Sequence, residues 1–209
     1  MATILRSWSY RYQWLYDTIS WASALAVGGI SRFHQLPLQG LALGQDAEVL
    51  DLCCGSGQAT GYLTQRYDHV TGLDASPKSI GRARRNVPEA DYVQAWAESL
   101  PFEDQRFDLV HTSVALHEMT AEQLDQIFRE VYRVLKPGGV FAFVDLHQPK
   151  NPLMVPGLYA FMALFETETA WRLVKTDLAQ LVEKFGFKVQ KHELHGGGSL
   201  QVMQAVRPA

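Results

Sequence analysis

The sequence predicts a single α/β domain, with a mostly parallel seven-stranded sheet that ends in an antiparallel hairpin. Its 209 residues are a usual length for one domain. Through the middle of the chain, short runs rich in β-branched residues alternate with helical patterns, which indicates βαβ units and parallel strands. Near the end, two such runs, 188–194 and 200–206, are separated by Gly196 to Gly198, which indicates a hairpin.

The first half of the sheet is predicted from four short apolar runs. The turn after the first run contains Gly55 and Gly57, and the helix that follows is expected to reach about Arg66. Ser76 is a natural N-cap and Pro77 suits the first helical position, so the next helix is expected to begin there. The four strands are predicted over residues 48–52, 69–73, 91–94 and 107–112.

The most regular helical pattern runs from about residue 121 to 135. Apolar residues repeat there at three- and four-residue spacing, so one face is expected to be buried. Thr120 and Gln123 form a capping-box pattern at its start, and Lys136-Pro137-Gly138-Gly139 is expected to end it. The run Val140 to Asp145 does not alternate, as expected for a strand that is covered on both faces.

Composition and charge exclude several classes of protein. With 19 basic and 22 acidic side chains the net charge is −3, which argues against nucleic acid as a partner, because nucleic acid needs a clustered basic surface. The two cysteines, Cys53 and Cys54, are adjacent and cannot join distant segments. A disulfide-held secreted fold is therefore not expected, and the protein is predicted to be cytoplasmic. No metal site is predicted.

An apolar stretch near the start, residues 14–30, raises the question of a membrane segment. Asp17 interrupts it and Arg11 and Arg32 flank it, so it falls short of the roughly 20 apolar residues that span a bilayer. It also starts too late for a signal peptide. We expect an amphipathic helix that caps the domain, with peripheral membrane contact as the alternative.

The strongest local signal is the loop after the first strand. An open α/β sheet binds its ligand beyond the carboxyl ends of its strands, at the switch point in strand order. Gly55 and Gly57 let the backbone turn tightly and approach a ligand, and the following helix N-terminus offers N–H groups to a carboxylate. Asp74 follows about 20 residues later, where it could accept both hydroxyls of a ribose. The pattern therefore predicts a ligand that contains a nucleoside.

Two nucleoside cofactors compete for this loop, a nicotinamide dinucleotide and S-adenosylmethionine. The dinucleotide fingerprint requires Gly or Ala three residues after the second glycine, and Thr60 stands there. Asp51, just before the loop, is rare in dinucleotide strands but suits a cationic group such as the ammonium or sulfonium of the methionine moiety. Both differences favour S-adenosylmethionine.

Five segments follow one another in a fixed order: Asp51-Leu52-Cys53-Cys54-Gly55-Ser56-Gly57, Gly72-Leu73-Asp74-Ala75-Ser76, Ala97-Glu98-Ser99-Leu100-Pro101-Phe102, Phe107-Asp108 and Arg133-Val134-Leu135-Lys136-Pro137-Gly138-Gly139. Together they resemble class I S-adenosylmethionine-dependent methyltransferases, most closely the group of ubiquinone and menaquinone biosynthesis, over about residues 48–144. Tyr16-Asp17 and residues 194–206 are similar to that group's termini. The resemblance implies a Rossmann-like fold, S-adenosylmethionine as cofactor and methyl transfer to a small molecule.

The resemblance also implies which residues hold the cofactor. Cys53 stands where relatives have the first glycine of the loop, and Trp96 where many have an aspartate that meets the adenine amino group. We therefore expect the adenine to be recognised by the Ala97 backbone and by stacking on Trp96. The expected cofactor-binding residues are Asp51, Cys53, Gly55, Ser56, Gly57, Asp74, Ala75, Trp96, Ala97, Thr112 and Tyr16.

Candidate catalytic residues follow the ends of two strands. Methyl transfer from a sulfonium is an in-line displacement, so a base is needed only where the acceptor must lose a proton. His147 follows the run 140–145 and His117 follows the run 107–112, and imidazoles titrate near neutrality. We predict that His147 is the base and that His117 contributes less, while surface or capping roles for both stay open. Asp145 could equally accept backbone N–H groups.

A second apolar segment, residues 153–171, is expected to cover the substrate together with the N-terminal helix. Its large side chains could line a pocket for an apolar or aromatic, quinone-like acceptor, or could pack on the sheet. The segment between Pro149 and Phe187 looks shorter than in quinone methyltransferases. An O- or N-methyltransferase of another metabolite and a non-catalytic cofactor-binding domain therefore stay open. The expected division of the single domain, residues 1–209, is a helical cap (1–45), a cofactor-binding core (46–146), a substrate-cover insertion (147–175) and a C-terminal helix with hairpin (176–209).

Overall fold

The computed structural model describes residues 28–149, 151, 155–165 and 167–209. The strands are β1 (Glu48–Leu52), β2 (His69–Asp74), β3 (Asp91–Gln94), β4 (Phe107–Ser113), β5 (Leu135–Leu146), β6 (Lys188–His195) and β7 (Leu200–Val206). They form one seven-stranded sheet in the order β3-β2-β1-β4-β5-β7-β6. The strands from β1 to β5 are parallel, and β7 lies antiparallel between β5 and β6, which confirms the predicted fold class.

Helices cover both faces of this sheet. They are α1 (Ile30–Gln35), α2 (Thr60–Leu63), α3 (Pro77–Asn86), α4 (Ala121–Val134), α5 (Val155–Phe165), α6 (Glu168–Leu173) and α7 (Leu178–Lys184). On one face α4 and α7 bury Phe128 and Val182 against Phe141 of β5. On the other face Leu63 of α2 packs with Val49 of β1. No described helix is long and apolar enough to cross a membrane.

The helix starts follow the capping signals of the sequence. Ser76 accepts the backbone N–H of Ser79 (3.2 Å) at the start of α3. Thr120 and Gln123 make both hydrogen bonds of a capping box at the start of α4. The helix after the loop is shorter than expected, because α2 ends at Leu63 and only hydrogen-bonded turns continue to Arg66. A glycine inside this four-residue helix weakens it.

Residues 136–139 do more than end α4, because β5 begins directly after the helix and includes them. The Gly138 N–H donates to the carbonyl of Arg207 (2.8 Å), and the Arg207 N–H donates to the carbonyl of Gly139 (2.9 Å). The Arg207 guanidinium also donates to carbonyls in the last turn of α4 and at the start of β5. The end of the chain therefore draws this segment into the sheet, which the local sequence pattern does not show.

The strand order places a crevice at the carboxyl ends of β1 and β4. From β1 the chain proceeds outward through β2 to β3, and it then returns to the other side of β1 to form β4 and β5. Ligands of open α/β sheets bind at such a switch point. The loop after β1, the end of β2 and the turn after β4 meet at this edge.

The segment before β1 is anchored on the sheet from α1 onward. The side-chain amide of Gln204 in β7 donates to the carbonyls of Pro37 (2.8 Å) and Gln39 (2.9 Å). His34 of α1 is buried, its Nδ1 lies 3.5 Å from the hydroxyl of Ser113, and burial lowers the pKa of His34 to about 4. Most of the expected N-terminal cap, residues 1–27, lies outside the described residues.

Candidate cofactor and catalytic site

Three residues of the loop after β1 adopt the left-handed backbone region: Cys53 (φ 58°), Gly55 (φ 56°) and Gly57 (φ 86°). A Cβ added at Gly55 would meet no atom of the described residues within 4 Å, so these residues leave this face of the loop open to a ligand. A side chain at Gly57 would lie 3.4 Å from both Ala83 of α3 and the Tyr92 hydroxyl. The space beside Gly55 could therefore hold a ligand, whereas a side chain at Gly57 would lie against α3; contact of either glycine with the cofactor stays a prediction.

Asp74 ties the loop to the end of β2. Its carboxylate accepts the backbone N–H of Gly55 (3.0 Å) and that of Ser76 (2.8 Å). Burial raises the pKa of Asp74, and the negative charges of Glu118 and Asp51 raise it further, while the two hydrogen bonds act in the opposite direction. The carboxylate is therefore held in a fixed orientation in a negative environment that a cation would stabilise.

Asp51 is almost completely buried (1% exposed). It accepts a hydrogen bond from the Thr60 hydroxyl (2.6 Å), and its other oxygen lies 2.9 Å from Nδ1 of His111, which is also buried. Both oxygens thus have partners inside the protein, and these contacts hold the loop on the sheet. Each oxygen retains a second lone pair, so contact with the methionine ammonium stays a prediction. Sequence reasoning missed His111, although its place in an apolar strand was a signal.

Two further carboxylates, Glu98 and Glu118, surround the loop, and sequence reasoning missed both. Burial raises the pKa of the Cys53 thiol, and the charges of Asp74, Asp51, Glu118 and Glu98 add to this effect. The thiol therefore stays protonated and unreactive, since the thiolate is the nucleophilic form. Glu98 is fixed by a hydrogen bond from the side-chain amide of Gln123 (2.6 Å).

The part of the site that is expected to bind adenine has the exposed ring of Trp96 next to the buried residue Ala97. Trp96 is 67% exposed, more than any other large apolar side chain among the described residues. An exposed ring beside the ends of β2 and β3 is suited to stacking on a base. Ala97 is buried, and the hydroxyl of buried Thr112 has no hydrogen-bond partner among the described residues. A bound ligand could satisfy that hydroxyl.

These features fit S-adenosylmethionine. An open loop face at Gly55 can accept the methionine carboxylate, and the fixed Asp74 carboxylate can accept ribose hydroxyls. The acidic surroundings suit the sulfonium and ammonium charges, whereas they would repel the pyrophosphate of a dinucleotide.

Comparisons with known proteins agree with this geometry. A family model described as a methyltransferase domain matches residues 49–139. The chain is 61% identical over 205 residues to an uncharacterized methyltransferase of Synechocystis, covering 98% of this chain and 97% of that protein. It is 32% identical to a demethylmenaquinone methyltransferase of Listeria monocytogenes, covering 72% of this chain and 74% of the relative. The chain belongs to the class I S-adenosylmethionine-dependent methyltransferases.

A solved methyltransferase structure from Aquifex aeolicus shares the fold. Its TM-score is 0.66 at 18% identity, and the match covers 89% of this chain and 97% of that one. The protein is thus a Rossmann-like methyltransferase, and S-adenosylmethionine is its cofactor.

The two candidate bases of this methyltransferase have different surroundings. His117 lies in the 3-10 turn Leu116–Glu118 after β4, and its Nδ1 is 2.7 Å from a carboxylate oxygen of Asp145 at the end of β5. Both side chains are almost completely buried. This pairing joins the ends of two neighbouring strands.

His147 lies in a separate cleft of about 400 Å³ beside the hairpin. Its Nδ1 is 2.9 Å from the carbonyl of Gly198, and its ring lies edge-on to that of His192. The described residues that line this cleft include none of those expected to bind the cofactor. A direct role of His147 in proton removal stays a prediction.

Most of the expected cofactor-binding residues meet at the carboxyl ends of the strands. The loop residues Cys53, Gly55, Ser56 and Gly57 lie with Asp51, Asp74 and Ala75 at the ends of β1 and β2, Trp96 and Ala97 follow β3, and Thr112 belongs to β4. Tyr16 lies outside the described residues. The cofactor contacts of all these residues stay predictions.

Proposed function

We propose that this enzyme transfers a methyl group to a small apolar or aromatic acceptor of the quinone type. The observation that carries the proposal is an apolar cover beside the strand ends. Met162 of α5 and Ala170 of α6 are fully buried against Val144 and Leu146 at the end of β5. Helix α6 also packs against the turn that carries His117. An acceptor beside that turn would meet an apolar wall.

The name of one relative supports the same acceptor class. The Listeria protein is named a demethylmenaquinone methyltransferase, and the similarity extends over 72% of this chain. Part of the cover does pack on the sheet, as Met162 shows. Tyr159 and Trp171, whose rings are 5.0 Å apart, are only partly buried and could face an acceptor.

Bound S-adenosylmethionine supplies a methyl carbon that is activated by the sulfonium charge. The protein then has three tasks: Asp74 holds the ribose, the loop at Gly55 holds the methionine end, and α5 and α6 exclude water. In-line displacement needs the acceptor atom about 3–3.5 Å from the methyl carbon, so positioning supplies much of the rate.

The acceptor class can be tested with methyl-labelled cofactor and three matched acceptors: a prenylated hydroquinone, an unprenylated catechol and a primary amine. We expect label mainly in the hydroquinone, because its prenyl chain adds the most apolar surface that can be buried against the cover. Asp74→Ala is the control for cofactor dependence. Label mainly in the catechol or the amine would assign a different small metabolite, and label in none of the three would contradict the proposal.

A further inference from the structure

The carboxylate of Asp145 is fully buried and surrounded by donors. The backbone N–H of Leu116 donates to one oxygen (2.8 Å), and the backbone N–H of Leu146 donates to the other (2.7 Å). That second oxygen also faces Nδ1 of His117 at 2.7 Å. Three donors from two chain segments hold the carboxylate in one orientation.

This arrangement determines which nitrogen of His117 carries a proton. Both oxygens of Asp145 accept backbone N–H groups, so the ring nitrogen that faces them must be the donor. In the neutral ring the proton is therefore on Nδ1, and Nε2 is the nitrogen that can take another. A carboxylate that holds an imidazole in this way also stabilises the imidazolium that forms when the ring takes up a proton.

The turn that carries His117 lies beside the cofactor-binding residues. Glu118 is the residue after His117, and its negative charge raises the pKa of both Asp74 and Cys53. Helix α6 packs against the same turn, and the His117 side chain is only 7% exposed. A proton exchanged at this ring would therefore pass largely out of contact with bulk water.

We propose that His117 is the base that removes the acceptor proton and that Asp145 is its positioning residue. This rests on the proposed function in one respect, that the acceptor carries a proton which must leave. An electron pair of the acceptor forms the new bond to the methyl carbon, and the carbon–sulfur bond breaks with its pair remaining on sulfur. The acceptor proton passes to Nε2 of His117, and Asp145 stabilises the resulting imidazolium.

His147 is less suited to this role. Its Nδ1 faces the neutral carbonyl of Gly198, which stabilises an imidazolium less than a carboxylate does. Its cleft lies beside β6 and β7, and the described residues that line it include none of those expected to bind the cofactor. The proposal therefore moves the main base from His147 to His117.

Among the described residues, charged groups on the elements packed against the His117 turn come from β5, from the turn itself and from α6. Asp145 belongs to β5 and Glu118 to the same turn as His117, and α6 carries Glu168 and Arg172. The last two form an exposed ion pair (2.7 Å) whose charges largely cancel. Asp145 is the buried carboxylate in direct contact with the ring, so its charge acts on the imidazole at the shortest distance.

The pair formed by His117 and Asp145 restricts the chemical class of the acceptor. A phenolic hydroxyl, or the ring carbon of a hydroquinone, loses a proton when it is methylated and gains from a base. A free amine or a thiolate can attack without one. The pair of His117 and Asp145 therefore predicts methylation of an oxygen or carbon atom of the acceptor.

The proposal can be tested first on the protein alone, by nitrogen-detected NMR of the imidazole rings. We expect a proton on Nδ1 of His117 in the wild-type protein and loss of that preference in Asp145→Asn. A His117 ring protonated on Nε2 in the neutral wild-type protein would overturn the proposal whatever the acceptor is.

Kinetics provide the second test. His117→Gln should lower kcat by about 10²–10⁴-fold while calorimetry shows unchanged cofactor affinity. Asp145→Asn should lower kcat and move the acid limb of the pH–rate profile to lower pH, because loss of the negative charge lowers the pKa of the base. His69→Gln and Asp108→Asn, at the amino-terminal edge of the sheet, are the matched controls and should keep wild-type kcat.

The outcomes separate this proposal from the proposed function. Unchanged kcat in His117→Gln, or a large loss in His147→Gln with a small loss in His117→Gln, would overturn the assignment of the base. Failure of the acceptor class would show instead as wild-type protein that labels no hydroquinone, with the NMR result unaffected. If Asp145→Asn does not fold, the wild-type tautomer and the His117→Gln kinetics still decide.

Discussion

At the scale of the residue, Asp74 combines two properties that oppose each other. It orients the loop through backbone N–H groups, yet burial and neighbouring carboxylates disfavour its charge. A ligand that brings a positive charge and two hydroxyl donors relieves this conflict. Such sites bind ligand at some cost in the stability of the free protein.

The first prediction concerns Asp74 itself. Asp74→Ala should bind S-adenosylmethionine at least about tenfold more weakly, because a hydrogen bond to a charged group contributes about 1.5–3 kcal/mol. Isothermal calorimetry measures this directly. Unchanged affinity in a folded variant would contradict the ribose assignment.

The raised pKa of Asp74 predicts how cofactor affinity depends on pH. Protonation removes the negative charge that accepts the ribose hydroxyls, so affinity should fall as the pH decreases through this pKa. Because the pKa of Asp74 is raised, the loss should begin at higher pH than for an ordinary aspartate, whose pKa is about 3.9. Calorimetry across pH on the wild-type protein and on Asp74→Asn checks this. The variant cannot titrate there and should show weaker binding without that step.

At the scale of the element, the two loop glycines, Gly55 and Gly57, have different surroundings. A Cβ added at Gly55 would meet no atom of the described residues within 4 Å, whereas one added at Gly57 would lie 3.4 Å from Ala83 of α3 and from the Tyr92 hydroxyl. The sequence predicts that both glycines let the backbone approach the ligand closely. A side chain at the second glycine would lie against α3, and contact of either glycine with the cofactor stays a prediction.

The matched variants Gly55→Ala and Gly57→Val test whether each glycine matters more for cofactor binding or for stability. Gly55→Ala should lower stability by only about 1–2 kcal/mol, the cost of a left-handed residue with a side chain, but should strongly weaken cofactor binding. Gly57→Val adds crowding to that backbone cost and should lower the melting temperature more. Thermal unfolding and calorimetry on both variants measure the two effects. Normal binding by Gly55→Ala would show that its open face is not the cofactor side.

Helix starts and strand runs were predictable because they depend on neighbours in the sequence. The Thr120–Gln123 capping box lies within one turn, so its pattern is visible in the chain alone. The extension of β5 back to Leu135 was not predictable, because it depends on Arg207 at the other end of the chain.

At the scale of the whole molecule, the chain is organised around the carboxyl edge of one sheet. From α1 onward the N-terminal segment is anchored, because Gln204 holds the carbonyls of Pro37 and Gln39. His34 of α1 stacks on Tyr62 after the cofactor loop, with ring centroids 5.5 Å apart. The segment from α1 onward therefore packs beside the helix that follows the cofactor loop.

Removal of residues 1–27 should leave a folded sheet, because β1 begins at Glu48 and α1 keeps its contacts. Cofactor affinity should fall and turnover should be lost, since the predicted cap, including Tyr16, is removed. Circular dichroism, calorimetry and a methyl-transfer assay measure the three properties. Wild-type turnover after this truncation would show that the segment is dispensable.

The sequence by itself determined the succession of strands along the chain, the helix caps, and the glycine loop with Asp74. Each depends on residues close together in the chain or on a glycine conformation that a local pattern reveals. The family resemblance added the cofactor, because its motifs occur in order along the chain.

Only the tertiary structure decided which side chains meet across strands. Asp51 and His111 are 60 residues apart, and His117 and Asp145 are 28 apart. Their contacts depend on the pairing of β1 with β4 and of β4 with β5. A shift of one residue in the pairing of β1 with β4 would turn Asp51 and His111 to opposite faces, and short-range patterns do not specify register between separate strands.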